Sequence, residues 1–261
     1  ATHFNYTYRK YSDGQEEFTW FNEMQLIGRN GGRKLMDEST KEIPQELKEQ
    51  YRYQARIRAG SNIRQLVKEN NLRYMWTLTY KDEITSRETA LDDFKKFIMR
   101  LNYQTGQKIP YVAVTEVQKL RYERTGKPVL HFHMAIDRRI DIKLLGKAWK
   151  HGYVFVSTYE DGKKISGDKE NVAMYLSKYL KKDMEDNPEI AGKKMYLNSK
   201  GLRRPEKGHG VVTDAEKKEI QSIAHNYEIN DEVSGSNLNL PKLIHQANNE
   251  IQRIEHEGMV A

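Results

Sequence analysis

The segment Leu130-His131-Phe132-His133-Met134-Ala135-Ile136 constrains this chain more than any other. Apolar residues at alternate positions give the period of two of a β-strand, whose successive side chains point to opposite faces. His131 and His133 therefore share one face, while Leu130, Phe132, Met134 and Ile136 share the other and turn to a core. Two imidazoles side by side on a strand can hold a divalent ion, or they can be a structural pair. In the apolar stretch before it, Tyr111–Val117, the residues Val112, Val114 and Glu116 share a face. If the two strands form a hairpin across 118–128, Glu116 comes to lie near His131. Two nitrogens and one oxygen with open positions suit Mg²⁺ or Mn²⁺, completed by water and substrate oxygens. The other reading of Glu116 is a carboxylate that only orients a histidine.

The absence of cysteine removes the alternatives to this donor set. Zinc–thiolate sites, disulfides and cysteine nucleophiles are excluded, so a metal here is held by nitrogen and oxygen. At 261 residues the chain is long enough for one large domain or two small ones, with a core that needs no covalent staples. No apolar run is long enough to span a membrane, and Ala1–Lys10 holds no apolar stretch of the secretory kind. The expectation is a soluble, cytoplasmic protein.

Periodicity places the other elements. Residues 43–71 read as helical, with Gly60 as a break. Tyr74-Met75-Trp76-Thr77-Leu78-Thr79-Tyr80 is rich in aromatic and β-branched residues and reads as a strand. Thr85 or Ser86 caps the next helix, Glu88 completing a capping box with Thr85. Leu91, Phe94, Phe97, Ile98 and Leu101 form that helix's apolar stripe. A short helix over Asp141–Lys150, a strand over Tyr153–Tyr159 and a turn over Lys163–Gly167 follow. Asp168 then caps a helix over Lys169–Met184, and Lys194–Leu197 offers a fifth strand. The order β-α-β-β-α-β-α-β predicts an α+β domain with a mainly antiparallel sheet and helices on one face. The first 45 residues are aromatic but weakly periodic, and Gly28–Lys34 reads as a basic loop. Three segments are expected: an extension over 1–49, the main domain over 50–210 and a tail over 211–261.

The helix after Asp168 carries the second chemical constellation, Tyr175-Leu176-Ser177-Lys178-Tyr179-Leu180-Lys181-Lys182. Ala173, Leu176 and Leu180 form the buried stripe expected of an amphipathic helix. Tyr175, Lys178, Tyr179 and Lys182 are expected on roughly the opposite side. A tyrosine hydroxyl, with a pKa near 10, is a poor nucleophile unaided. A metal at a phosphate offsets negative charge, and a nearby lysine stabilises the phenolate or the developing charge.

Taken together these motifs resemble the HUH endonucleases, specifically the rolling-circle replication initiators of plasmids and single-stranded DNA phages. Trp76-Thr77-Leu78-Thr79-Tyr80 resembles the family's first motif. His131-Phe132-His133 resembles its metal-binding motif, and Tyr175 to Lys182 its two-tyrosine motif. The resemblance covers roughly residues 50–205. It implies a five-stranded antiparallel sheet with the histidines on a central strand. It also implies cleavage of single-stranded or hairpin origin DNA through a 5′-phosphotyrosine link, with Mg²⁺ or Mn²⁺ as cofactor. Carried over by position, His131, His133 and Glu116 are metal ligands. Tyr179 and Tyr175 are the nucleophiles, Tyr179 first, and Lys178 and Lys182 assist at the phosphate. A related transposase or mobilisation relaxase, or a non-catalytic RRM-like nucleic-acid-binding module, are the alternative readings.

Charge fits a nucleic-acid partner. Residues 1–210 hold 40 basic against 28 acidic residues, a net of +12, while 211–261 hold 4 against 9, a net of −5. A basic surface suits a phosphate backbone. Arg121, Arg124 and Lys127 in the hairpin loop, with Arg138 and Arg139 after the histidine strand, are the expected DNA contacts. Tyr51, Tyr53, Trp76 and Tyr80 are candidate stacking residues, with Trp76 equally a candidate core residue. There is no G-x-x-x-x-G-K-[ST] string, so unwinding is expected to need a separate helicase beside the host replication machinery.

Overall fold

The computed structural model describes residues 3–26, 45–82, 86–117, 123, 129–156, 159–160, 163–164, 166–186 and 195–216. The basic loop 28–34, Thr85, the hairpin loop residues Arg121, Arg124 and Lys127, and most of the acidic tail lie outside them. The chain divides into two compact units: Glu42–Arg204, and a second made of Ala1–Lys41 with Pro205–Ala261. Among the described residues no helix is long and apolar enough to cross a membrane.

The smaller unit is a three-stranded antiparallel sheet in the order β10-β1-β2, formed by β1 (His3–Lys10), β2 (Glu16–Leu26) and β10 (Glu206–Gly210). The β1–β2 turn closes where Tyr11 N–H donates to the Gln15 carbonyl and Gly14 N–H to that of Tyr11. Gly14 has φ +85° there, a conformation that side chains with a Cβ seldom adopt. The Tyr6 and Tyr8 rings lie over Gly210 and Gly208 respectively, where any Cβ would collide with them.

The larger unit holds α1 (Gln45–Glu69), β3 (Tyr74–Tyr80), α2 (Arg87–Thr105), β4 (Tyr111–Val117) and β5 (Leu130–Ile136). It continues with α3 (Ile142–Trp149), β6 (Gly152–Val156), β7 (Tyr159–Glu160), β8 (Lys163–Lys164), α4 (Lys169–Asp186) and β9 (Leu197–Asn198). Five strands form one antiparallel sheet in the order β6-β3-β5-β4-β9, so the histidine strand is central. Among the described residues β7 and β8 pair only with each other, and the strand expected over Tyr153–Tyr159 is β6, Gly152–Val156.

Helices cover both faces of this sheet, not one as the element order suggested. The reason lies in the strands: Trp76, Leu78, Phe132 and Met134 are apolar on one face, while Met75, Val112, Val114 and Ala135 are apolar on the other. A sheet buried on both sides needs a layer against each. On the first face α2 and α3 contribute Phe94, Phe97, Leu101, Leu145 and Trp149. Phe94 stacks on Phe132 with ring centroids 4.7 Å apart. Burying a phenylalanine side chain contributes about 1.5–3 kcal/mol. On the second face α1 and α4 contribute Ala59, Ile63, Leu66, Val67, Val172, Ala173, Leu176 and Leu180.

Local chemistry sets the helix starts. The Ser86 side chain accepts from Thr89 N–H and caps α2, one of the two caps expected there, while the Thr85–Glu88 box falls on a residue outside those described. Asp141 caps α3, and the Asp168 carboxylate accepts from Glu170 N–H at 2.8 Å and Asn171 N–H at 3.2 Å. Gly60 does not break α1. An interior glycine costs a helix about 1 kcal/mol relative to alanine, which burial of the flanking Ala59 and Ile63 against α4 offsets. At the end of the helix Lys68, itself buried, bonds Glu170 at 2.9 Å and ties α1 to α4.

Candidate metal and nucleophile site

Strand register assembles the centre of the site. β3 and β5 pair Thr77 with His133 and Thr79 with His131, while β4 and β5 pair Glu116 with His131. Alternation then puts Thr77, Thr79, Glu116, His131 and His133 on the face that carries α1 and α4. One ligand atom from each of Glu116, His131 and His133 lies within 4.8 Å of the others. This cluster can hold a metal ion, as the strand pattern predicted.

His133 is gripped on both ring nitrogens. Its Nε2 is 2.7 Å from Glu116 Oε2, and its Nδ1 is 3.1 Å from Thr77 Oγ1. Both His133 and Glu116 are buried, at 4% and 6% exposure, while His131 is half-buried. The Glu116 bond therefore goes to His133, on the diagonal, although its direct cross-strand neighbour is His131. The donor set fits a divalent cation. The carboxylate supplies charge, the imidazoles supply neutral nitrogen, and a cation on Nε2 requires the ring proton on Nδ1, where Thr77 Oγ1 can accept it. Thr77 is the residue that motif reading missed. Its signal was present in the alternation of Thr77 and Thr79 with Trp76, Leu78 and Tyr80.

α4 brings the tyrosines to this cluster. The Tyr179 ring lies flat on His133, with centroids 3.6 Å apart and planes 9° from parallel. Tyr175 meets Tyr179 edge-on at 5.3 Å. These tyrosines do not sit opposite the apolar stripe as expected. At 100° per residue, Ala173, Leu180, Leu176, Val172, Tyr179 and Tyr175 follow one another round a single arc of about 160°. Wedged between the sheet and α1, the helix turns that whole arc inward and exposes Met174 and Lys178. Tyr175 is accordingly buried, and its hydroxyl has no hydrogen-bond partner among the described residues. Tyr179 is half-buried, and the Lys178 ammonium lies 5.3 Å from the Tyr175 ring centroid. The Lys182 side chain lies outside the described residues.

The other expected contacts are not gathered here. Arg138 and Arg139 follow the far end of β5, several strand residues beyond His133. Arg138 chelates Asp137 at 2.7 and 2.8 Å and also bonds Gln107, while Arg139 lies 5.6 Å from the Tyr74 ring centroid. Trp76 and Tyr80 are buried on the α2/α3 face and are core residues, not stacking ones. The Tyr80 hydroxyl donates to Asp93 at 3.1 Å, and burial, reinforced by that carboxylate, raises its pKa far above the usual value. His151 packs on Tyr80 and Trp149 with Nε2 3.5 Å from Asp93. Tyr51 and Tyr53 are exposed on α1.

Residues 73–184 match a family model of replication-associated proteins, the one described by the name ORF2. The matched stretch runs from the start of β3 to the last turn of α4, so it contains Thr77, Glu116, both histidines and both tyrosines. No curated protein and no solved structure matches the chain.

Proposed function

We propose that this chain initiates rolling-circle replication by nicking and rejoining single-stranded or hairpin origin DNA. The match to replication-associated proteins supports the biological setting. The observation that carries the chemistry is the Tyr179 ring stacked on His133, whose Nε2 lies against Glu116. It supports Tyr179 as the hydroxyl nucleophile acting next to a cluster that could hold a cation.

His131, His133 and Glu116 hold the ion, Mg²⁺ or Mn²⁺. When bound it polarises the scissile phosphate and offsets its charge. The Tyr179 oxygen attacks phosphorus and loses its proton. An O–P bond to tyrosine forms, the P–O3′ bond breaks, and the departing oxygen takes up a proton to leave a free 3′-hydroxyl. The phosphotyrosine keeps the phosphodiester's energy for rejoining. Tyr175 serves as the second nucleophile, and Lys178 and Lys182 stabilise developing charge. Arg121, Arg124, Lys127, Arg138 and Arg139 contact the phosphate backbone. A separate helicase unwinds the duplex.

The test is incubation of the purified chain with single-stranded hairpin origin DNA and Mn²⁺, followed by denaturing electrophoresis. The expected product is a covalent protein–DNA band that EDTA prevents, that Tyr179→Phe greatly reduces and that the Tyr175→Phe/Tyr179→Phe double variant lacks. A band that survives the double change would overturn the assignment.

A further inference from the structure

Two large aromatic side chains on the edge strand β6 take no part in the chemistry above. Tyr153 and Phe155 are 56% and 54% exposed. Register fixes where they face. Tyr153 pairs with Thr79, which pairs with His131, which pairs with Glu116. Phe155 pairs with Thr77, which pairs with His133. Both aromatics therefore stand on the same face as the metal cluster, two strands away, or about 10 Å at the usual strand spacing. α4 packs chiefly over β4, and the row that begins with buried Glu116 and still holds buried Thr79 ends at the sheet edge with Tyr153 exposed.

The edge of a sheet is where soluble proteins place charge, not bare rings. The intervening residue Val154 packs into the α2/α3 core, so the strand is held in register while Tyr153 and Phe155 stay outside. Their ring centroids are 6.4 Å apart. Bases in a duplex rise about 3.4 Å per strand, so consecutive bases can each cover one of these rings only when the strand is extended and unpaired. Positive charge lies alongside. A cleft of about 420 Å³ at this sheet end is lined by Tyr153, Lys81, Lys150 and His151, with Asp82 as its acidic member. Lys81 directly follows β3 and Lys150 caps the end of α3, so both lie at the end of the sheet where β3 and β5 pair Thr79 with His131.

We infer that Tyr153 and Phe155 form a base-stacking platform for single-stranded DNA, holding bases next to the scissile phosphate while Lys81 and Lys150 take the backbone. This rests on the nicking reading for its substrate, but its assay requires no cleavage. Stacking on an aromatic side chain is sequence-tolerant, and its loss to alanine weakens binding roughly fivefold to a hundredfold per base.

The experiment measures binding of a fluorescein-labelled oligothymidine of about 12 nucleotides by anisotropy in EDTA, using the full chain. Tyr153→Ala and Phe155→Ala should each weaken binding about fivefold or more, and the double variant further. Tyr153→Phe and Phe155→Trp should bind as the wild type does. A 2-aminopurine base in the strand should be quenched by the wild type and not by the double alanine variant. A folded double variant, by circular dichroism, that binds and quenches like wild type overturns the platform. So does an equal loss of affinity for the matching duplex, or a wild-type dimer that the double variant dissolves, since the rings would then cover a second copy. If Tyr179 forms its adduct while the double variant binds normally, the platform alone fails. If no adduct forms but binding depends on both rings, the nicking reading alone fails.

Discussion

Thr77 offers the sharpest test of how the cluster is built. Thr77→Val keeps the branched Cβ and the strand preference and removes only the hydroxyl that lies 3.1 Å from His133 Nδ1. A cation that takes the place of the 2.7 Å contact between Nε2 and Glu116 requires the ring proton on Nδ1, where that hydroxyl can accept it and hold the ring in orientation. Losing such an orienting partner weakens metal affinity about tenfold to a hundredfold. At 1.36 kcal/mol per decade this is about 1.4–2.7 kcal/mol. Metal-free stability should fall as well, because His133 is buried and a buried polar atom left without its partner costs about 1–3 kcal/mol. For a domain of this size each kcal/mol lowers Tm by about 2–4 °C. Titration calorimetry with Mn²⁺ and thermal unfolding with and without EDTA read the two effects separately. Thr77→Ser should restore the affinity, and Glu116→Ala should abolish the Mn²⁺-dependent rise in Tm. Wild-type Mn²⁺ affinity in Thr77→Val would refute the orienting role. Wild-type affinity in Glu116→Ala would refute the cluster itself.

Other consequences concern the framework around the site. Gly60→Ala should raise stability by about 0.5–1 kcal/mol in urea unfolding, since the added Cβ meets only Ser177 Oγ at 4.0 Å and the helix gains a better former. Gly152→Ala should do the reverse and loosen the β3–β6 pairing, because its Cβ would collide with the Thr79 carbonyl; amide exchange on Thr79 and Tyr153 as slow as in the wild type would contradict this. Tyr80 should stay protonated in the folded chain at a pH where free tyrosine ionises, as ultraviolet difference titration can read. Its folded pKa is raised, so its contribution to stability is fully present below about pH 10 and is lost as the pH rises further, where the unfolded chain binds fewer protons. A native-state phenolate signal equal to that of the unfolded chain would contradict the burial argument.

The main sheet's strands and their faces were legible in the sequence because each is short, apolar and punctuated. The period of two in Leu130–Ile136 and Tyr111–Val117 was enough to place both histidines and Glu116 on one face. Helix starts were legible where a side chain caps them, at Ser86, Asp141 and Asp168. What escaped depends on partners far away in the chain. The β1–β2 ribbon is completed by β10, with Tyr6 and Tyr8 lying over Gly210 and Gly208, which no local window can show.

The sequence by itself determined the chemistry available: no thiol, two imidazoles and a carboxylate with strand spacing, and two tyrosines one helical turn apart. Those are properties of residue type and local period, which the backbone imposes whatever surrounds it. Tertiary structure alone decided how they meet. It gave Glu116 to His133 across the diagonal, set Thr77 on the second ring nitrogen, and turned Tyr175 and Tyr179 inward. It also carried Trp76 and Tyr80 into the opposite core and left Tyr153 and Phe155 outside. Each outcome follows from which layer covers which part of the sheet, and that depends on packing between distant segments.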